Sequence, residues 1–231
     1  MNPTLYLLPT SLSDEHILSQ TVPHNIQVIH ACKHFVVEEL KTARRFLKAL
    51  DKSIDIDKLT FHELNEHTPY NELADIFQMV REHDTILMSE AGCPGVADPG
   101  AALVKMAHAF NIKVVPLIGP SSIVMAIMSS GLNGQNFAFN GYLPKERTER
   151  SQKIKQLEKY SAQQSQWFIE TPYRNMQLLD ELLATLNGNT KLCLAANISA
   201  ANEFIKTKSV GDWKKSKPEL NKIPCVFGIG Q

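Results

Sequence analysis

The sequence predicts an α/β protein of two units, and three observations predict it. Short apolar segments alternate with amphipathic helical patterns, the signature of a mostly parallel sheet covered on both faces. The length, 231 residues, is more than the roughly 150 of a common single domain. Charge also divides along the chain. Lys plus Arg and Asp plus Glu each count 24, yet residues 1–118 carry 10 basic and 15 acidic side chains, and 119–231 carry 14 and 9. The expected units are therefore an acidic 1–118 and a basic 119–231, both α/β.

Taken in order, Thr4–Leu8 reads as a buried strand, and Ser13 before Asp14 and Glu15 as the N-cap of a first helix. Phe35–Val37 is a second strand; Glu38 and Glu39 follow it and lead into a basic helix, Lys41–Leu50. Tyr70–Arg81 is the clearest helix. Thr68 stands as its cap, Pro69 in its first turn, and Leu73, Ile76, Phe77 and Val80 recur at i, i+3, i+4 and i+7. Thr85–Ser89 is the next strand, and Asp98-Pro99 caps a helix with a stripe of Leu103, Met106, Ala107 and Phe110. Lys113–Leu117 returns as a strand, and Gly119-Pro120-Ser121-Ser122 opens the helix Ile123–Ser129, stopped at Gly131. Beyond it, Phe137–Tyr142 and Gln166–Glu170 are strands around the helix Thr148–Tyr160. Asn175–Leu186 is helical, and Lys191–Ala195, Glu203–Thr207 and Cys225–Ile229 complete the strands. Trp213 falls in a polar connection with a mobile character.

With 43% hydrophobic and 21% charged residues, composition excludes disordered and collagen-like chains and needs no disulfide or metal to build a core. Cys32, Cys93, Cys193 and Cys225 form no Cys-x-x-Cys pair, which points to reduced thiols in a cytoplasm. The N-terminus has no secretory pattern. Val114–Pro144 contains no charged residue, but glycines and prolines interrupt it well short of the ~20 apolar residues a bilayer needs, so it reads as buried core and loop. His30-x-Cys32-x-His34 reads as a partly exposed turn, and no metal site is assigned.

Three loops lie just past strand ends, where open α/β sheets bind ligands: Pro9–Asp14, Glu90–Gly100 and Gly119–Ser122. The second packs three glycines and two prolines into Ser89–Gly100, stiff yet open to close backbone approach; an ordinary turn is the alternative. The third sets two hydroxyls at a helix start, suited to a carboxylate or phosphate, or to a plain N-cap. Neither a phosphate-binding P-loop nor a dinucleotide glycine fingerprint occurs. Tyr142, Pro144, Lys145, Arg147 and Arg150 place an aromatic among cations. So does Trp213 among Lys206, Lys208, Lys214, Lys215 and Lys217, a composition suited to RNA or to a solvated face.

SEAGCPGVADPG, LVKMAHAFNIKVVPLIGPSS, SGLNGQNFAFNGYLP and FIETPYRN, in that order and spacing, resemble the tetrapyrrole methylase family of S-adenosylmethionine-dependent methyltransferases. Within it, the likeness is to the branch of small-subunit ribosomal RNA cytidine 2′-O-methyltransferases (methyltransferase I). The match runs over roughly Leu5–Thr207. It implies two α/β domains of the tetrapyrrole methylase type with the cofactor in the cleft between them, usually in a homodimer. It also implies cofactor contacts from Pro9, Ser89, Glu90, Ala91, Gly92, Val96, Ser121, Ser122, Glu170 and Thr171. Two segments depart from the family pattern. Thr10-Ser11-Leu12-Ser13-Asp14 lacks the family's glycine, and Ala196-Asn197-Ile198-Ser199-Ala200 lacks two cations and an acid.

Methyl transfer to a ribose hydroxyl is an in-line displacement helped by a carboxylate that takes the proton or a cation that lowers the hydroxyl pKa. Glu39, Glu90 and Glu170 are candidates for the first role and Arg44 or Arg174 for the second. The leading expectation is ribosomal RNA 2′-O-methylation. The alternatives are methylation of a tetrapyrrole or other small acceptor, or a cofactor- or RNA-binding protein that has lost catalysis.

Overall fold

The computed structural model describes residues 3–231, and the chain divides into one unit that reaches to Ser121 and another that spans Ser122–Gln231. In the first, the alternation builds β1 (Thr4–Leu8), α1 (Pro23–Ala31), β2 (His34–Val37), α2 (Leu40–Leu50), β3 (Thr60–Glu63), α3 (Tyr70–Glu82), β4 (Thr85–Met88), α4 (Ala101–Ala109) and β5 (Lys113–Pro116). The five strands form a parallel sheet in the order β3-β2-β4-β1-β5. Successive side chains leave a strand on opposite faces. Val36 and Leu87 accordingly pack on Ile76, Phe77, Val80 and Leu103, and Phe35, Val37 and Ile86 pack on Val28, Ile29, Phe46 and Leu47. Both faces are covered, as the alternation predicts.

The second unit contains α5 (Ser122–Ser130), β6 (Phe137–Tyr142), α6 (Arg147–Tyr160), β7 (Ser165–Ile169), α7 (Asn175–Thr185), β8 (Lys191–Ala196), β9 (Phe204–Ser209), α8 (Val210–Lys215) and β10 (Cys225–Gly230). Its sheet runs β6-β7-β10-β8-β9. Only β6 and β7 pair in parallel; the other three pairings are antiparallel. The link from β8 to β9 is too short for a crossover helix and closes as a hairpin turn, with Asn197 and Ser199 in the left-handed region. At the centre, a Cβ on Gly228 would lie 2.4 Å from the Trp167 ring, whose indole N–H donates to Ser165 Oγ. Gly228→Ala is expected to cost about 1–3 kcal/mol through overpacking, read as a lower urea midpoint for the second unit.

Several expectations are corrected. Ser13 caps a single 3₁₀ turn, Asp14–His16, and the first α-helix begins at Pro23. Thr68 does not cap α3: its hydroxyl accepts from the Asn65 N–H, and Pro69 is the cap residue. Asp98 holds the loop before α4, accepting from the N–H groups of Gly95 and Gly100, and Gly100 is the cap. Trp213 is buried in α8 with its N–H on the Leu192 carbonyl. The uncharged stretch is not simply buried, since Ile118, Val124, Met128, Phe137 and Tyr142 are exposed.

His30, Cys32 and His34 diverge. His30 pairs with Asp51 at 3.0 Å, Cys32 is buried, and His34 stacks on His83 with ring centroids 4.2 Å apart. His34 Nδ1 is buried without a partner. Burial first, then the charges of His83, His62 and Lys33, hold His34 below the ordinary imidazole value. The unfolded chain therefore takes up this proton more readily, so stability is kept above the unfolded pKa of about 6.5 and lost as pH falls below it. His34→Gln is expected to flatten that loss, measured as melting temperature against pH.

Candidate functional site

In the first sheet β2 and β4 are neighbours, yet the chain leaves β2 toward β3 at one edge and leaves β4 toward β5 at the other. Such a switch point opens a crevice beyond the carboxyl ends of the strands. A cavity of about 100 Å³ lies there, lined by Thr10, Ser11, Glu38, Glu39, Thr42, Ser89 and Glu90 among others.

Three acids, Glu38, Glu39 and Glu90, line this cavity in different surroundings. Glu39 is the N-cap of α2 and accepts from the N–H groups of Lys41 at 3.0 Å and Thr42 at 2.7 Å, which hold its carboxyl below the ordinary range. These bonds cap the start of α2. Glu38, one residue earlier, is raised above the ordinary range, first by burial and then by the charge of Asp98. The Glu90 N–H donates to Glu38 Oε2 at 3.4 Å. Glu90 is exposed, and its Oε1 accepts a short hydrogen bond from the Thr42 hydroxyl. Arg44 packs over the Phe61 ring, and Arg45 pairs with Asp14 at 3.2 Å.

The three loops singled out by sequence are clasped together. Thr10 and Gly92 exchange backbone hydrogen bonds of 2.9 and 3.1 Å, and Gly92 sits at φ +77°, which favours glycine. A Cβ on Gly119 would lie 2.5 Å from Pro9 Cβ, so the loops after β1 and β5 touch. Cys93 Sγ donates to the Pro120 carbonyl at 3.4 Å. Burial pushes this thiol up more than its Ser121 hydrogen bond lowers it, the opposite of an activated nucleophile. Ser89 is buried, its hydroxyl on the Gly92 carbonyl at 2.8 Å. Ala91 and Val96 are exposed on the same loop, and Ser121 and Ser122 stand at the start of α5.

Glu170, Thr171 and Arg174 form a separate cluster in the second unit. The buried Glu170 carboxylate accepts from the Thr171 N–H at 2.6 Å and from Arg174 Nε and Nη2 at 3.1 and 2.6 Å. The cationic runs separate on folding. Arg150 is buried against Glu181 at 2.6 Å and donates to the carbonyls of Pro144 and Lys145. Trp213 is buried under Lys208 and presents no stacking face. Sequence reasoning missed Glu38 and Thr42 as cavity residues, whereas Thr10 lies in the Pro9–Asp14 loop it singled out. The signal for Glu38 was its place immediately after a strand at the switch point.

No family model matches the chain. It is 28% identical over 204 residues to the ribosomal RNA small subunit methyltransferase I of Vibrio cholerae, covering 88% of this chain and 68% of that protein. Its likeness to the protein of the same name from Pseudomonas aeruginosa is 25% over 226 residues, covering 96% and 77%. The fold is that of solved tetrapyrrole methylases. The methyltransferase CobJ superposes with a TM-score of 0.65 at 14% identity over 99% of this chain and 93% of its own. The uroporphyrin-III C-methyl transferase of Thermus thermophilus, complexed with S-adenosyl homocysteine, superposes with a TM-score of 0.61 at 13% identity over 99% and 97%.

Proposed function

We propose that this chain is an S-adenosylmethionine-dependent methyltransferase of the tetrapyrrole methylase family, acting on small-subunit ribosomal RNA at a ribose 2′-oxygen. What carries the reading is the sequence likeness, over 88% of the chain, to a relative named for ribosomal RNA methylation. The clasped loops after β1, β4 and β5 fit the cofactor. Gly92 brings backbone close at a conformation other residues avoid, Ala91 and Val96 offer apolar contact, and a helix start at Ser121 and Ser122 suits the methionine carboxylate. Pro9, Ser89 and Glu90 complete this group, with Glu170 and Thr171 assigned from the second unit.

When bound, the cofactor supplies a methyl group made electrophilic by its sulfonium. The chain's task is to hold the acceptor oxygen in line and take its proton. Glu90 is assigned as the acceptor of that proton, with Thr42 holding one of its carboxylate oxygens in place. Beside Glu90, burial and the charge of Asp98 hold the Glu38 carboxyl above the ordinary range. On the second unit, Arg174, fixed by Glu170, is assigned as a cation for the RNA. Glu39 is assigned to helix capping instead of catalysis.

Two measurements test this. S-adenosylhomocysteine at 100 times its Kd is expected to add about 2.7 kcal/mol to stability, seen as a higher melting temperature. Radiolabelled methyl donor is expected to label ribosomal RNA in subunits from a strain lacking this gene. Label confined to a small-molecule fraction would instead support the tetrapyrrole or other small-acceptor reading.

The active form is proposed to be a cytoplasmic homodimer. Among the described residues no helix is long and apolar enough to cross a membrane. Met128 on α5 and Phe137 on β6 are exposed apolar side chains of the second unit, and exposed apolar side chains suit contact with a second copy of the chain. Met128→Lys is expected to shift the sedimenting species toward monomer.

A further inference from the structure

Tyr173 is 75% exposed, yet everything around it is held. It is the middle residue of the 3₁₀ turn Pro172–Arg174, closed by the Arg174 N–H on the Thr171 carbonyl at 2.9 Å. On one side the Pro172 carbonyl accepts from the Lys222 N–H at 3.0 Å. On the other, Arg174 is locked to the buried Glu170. Asn175, next along, is fully buried and donates to the Ile223 carbonyl at 2.6 Å. Lys222 takes a left-handed backbone at φ +60°, uncommon for a long side chain, and its ammonium lies 6.0 Å from the centre of the Tyr173 ring.

The backbone that carries this exposed ring is fixed on both sides, so the ring's point of attachment is ordered although the ring itself gains no burial. That is the arrangement of a preorganised contact, in which backbone ordering costs are met before a ligand arrives. An aromatic face with cations beside it suits a planar base carrying a phosphate, and unpaired bases in RNA are recognised by stacking on such rings. We infer that Tyr173 is a stacking platform for an unpaired nucleobase of the RNA acceptor, with Lys222 and the partly exposed Arg174 placed to meet its flanking phosphates. The inference rests on the ribosomal RNA reading above. It assigns Tyr173 a positioning role in acceptor binding, with no part in the chemical step.

The test compares the full chain with Tyr173→Phe and Tyr173→Leu. The leucine variant keeps bulk and removes the aromatic face, and at so exposed a site it is expected to fold normally. One assay follows methyl transfer to small-subunit ribosomal RNA; a second follows fluorescence quenching of single-stranded RNA carrying 2-aminopurine. Tyr173→Leu is expected to raise the KM for RNA by about 5- to 150-fold, the range of base stacking on an aromatic ring. It should abolish quenching and leave S-adenosylhomocysteine affinity unchanged. Tyr173→Phe should restore both RNA readouts.

An unchanged KM and unchanged quenching in Tyr173→Leu, with wild-type methylation intact, would overturn the stacking role alone. A shift of Tyr173→Leu toward monomer in sedimentation would overturn it in favour of a contact between copies. Wild-type protein that binds S-adenosylhomocysteine but neither methylates nor quenches RNA would overturn the RNA reading itself.

Discussion

Arg150→Met is expected to destabilise the second unit by about 3–5 kcal/mol, the cost of leaving a buried ion without its partner. Both side chains of the pair are almost inaccessible, at 5% for Arg150 and 10% for Glu181. Arg150 directs Nε and Nη2 to the same oxygen, Glu181 Oε2, at 2.7 and 2.6 Å. Glu181 Oε1 is already buried without a hydrogen bond, so the carboxylate has no second donor to fall back on. The same guanidinium holds the Pro144 and Lys145 carbonyls at 3.3 and 2.8 Å, fixing the link from β6 to α6. Arg150→Met with Glu181→Leu removes both charges and should recover part of the loss. Recovery stays incomplete because two backbone acceptors still lack a donor. Equilibrium urea unfolding of the three variants measures this, and a single substitution costing under about 1 kcal/mol, the value of an exposed pair, would contradict it.

Glu90→Gln is expected to lower the rate of methyl transfer by about 10²- to 10⁴-fold, the usual contribution of a positioned proton acceptor. It should leave S-adenosylhomocysteine binding nearly intact, because the amide keeps the shape and can still accept from Thr42. Glu39→Gln provides the contrast. It weakens a helix cap and should lower melting temperature with turnover largely retained. Single-turnover kinetics with ribosomal RNA separate the two, and equal losses of rate in both variants would refute the assignment of roles within this acidic pair.

The difference between these two neighbours shows what a linear reading can reach. Glu39 and Glu90 were both legible as carboxylates near strand ends, but which one caps a helix depends on where α2 begins, and that depends on its packing. Helices with clean apolar stripes, such as α3, were legible. α1 was not, because its inward face includes Asn25, buried with its amide on the Ile118 carbonyl, and a polar residue there breaks the periodicity. β3 is a sheet-edge strand with only partly covered side chains, so it carries no apolar run. α8 is hidden in a lysine-rich segment, its one large apolar anchor being Trp213. The three clasped loops were legible from their places just past strand ends, and two of them also from glycines and prolines. The bonds that join Thr10 to Gly92 and Cys93 to Pro120 link residues far apart in sequence and leave no local trace.

The position of β10 bears on how the chain matures during synthesis. All five strands of the first sheet are complete by Pro116, so that sheet has all its strands before the first strand of the second is made. In the second sheet the last strand made, Cys225–Gly230, belongs at the centre, between β7 and β8. Until it arrives, β7 and β8 have no partner on their inner edges. At about 5–20 residues per second the interval between the two sheets is roughly 5–20 s. For that time the nascent chain has one complete set of strands and one incomplete, with unpaired strand edges that a chaperone can bind and that truncation before residue 225 would leave exposed permanently.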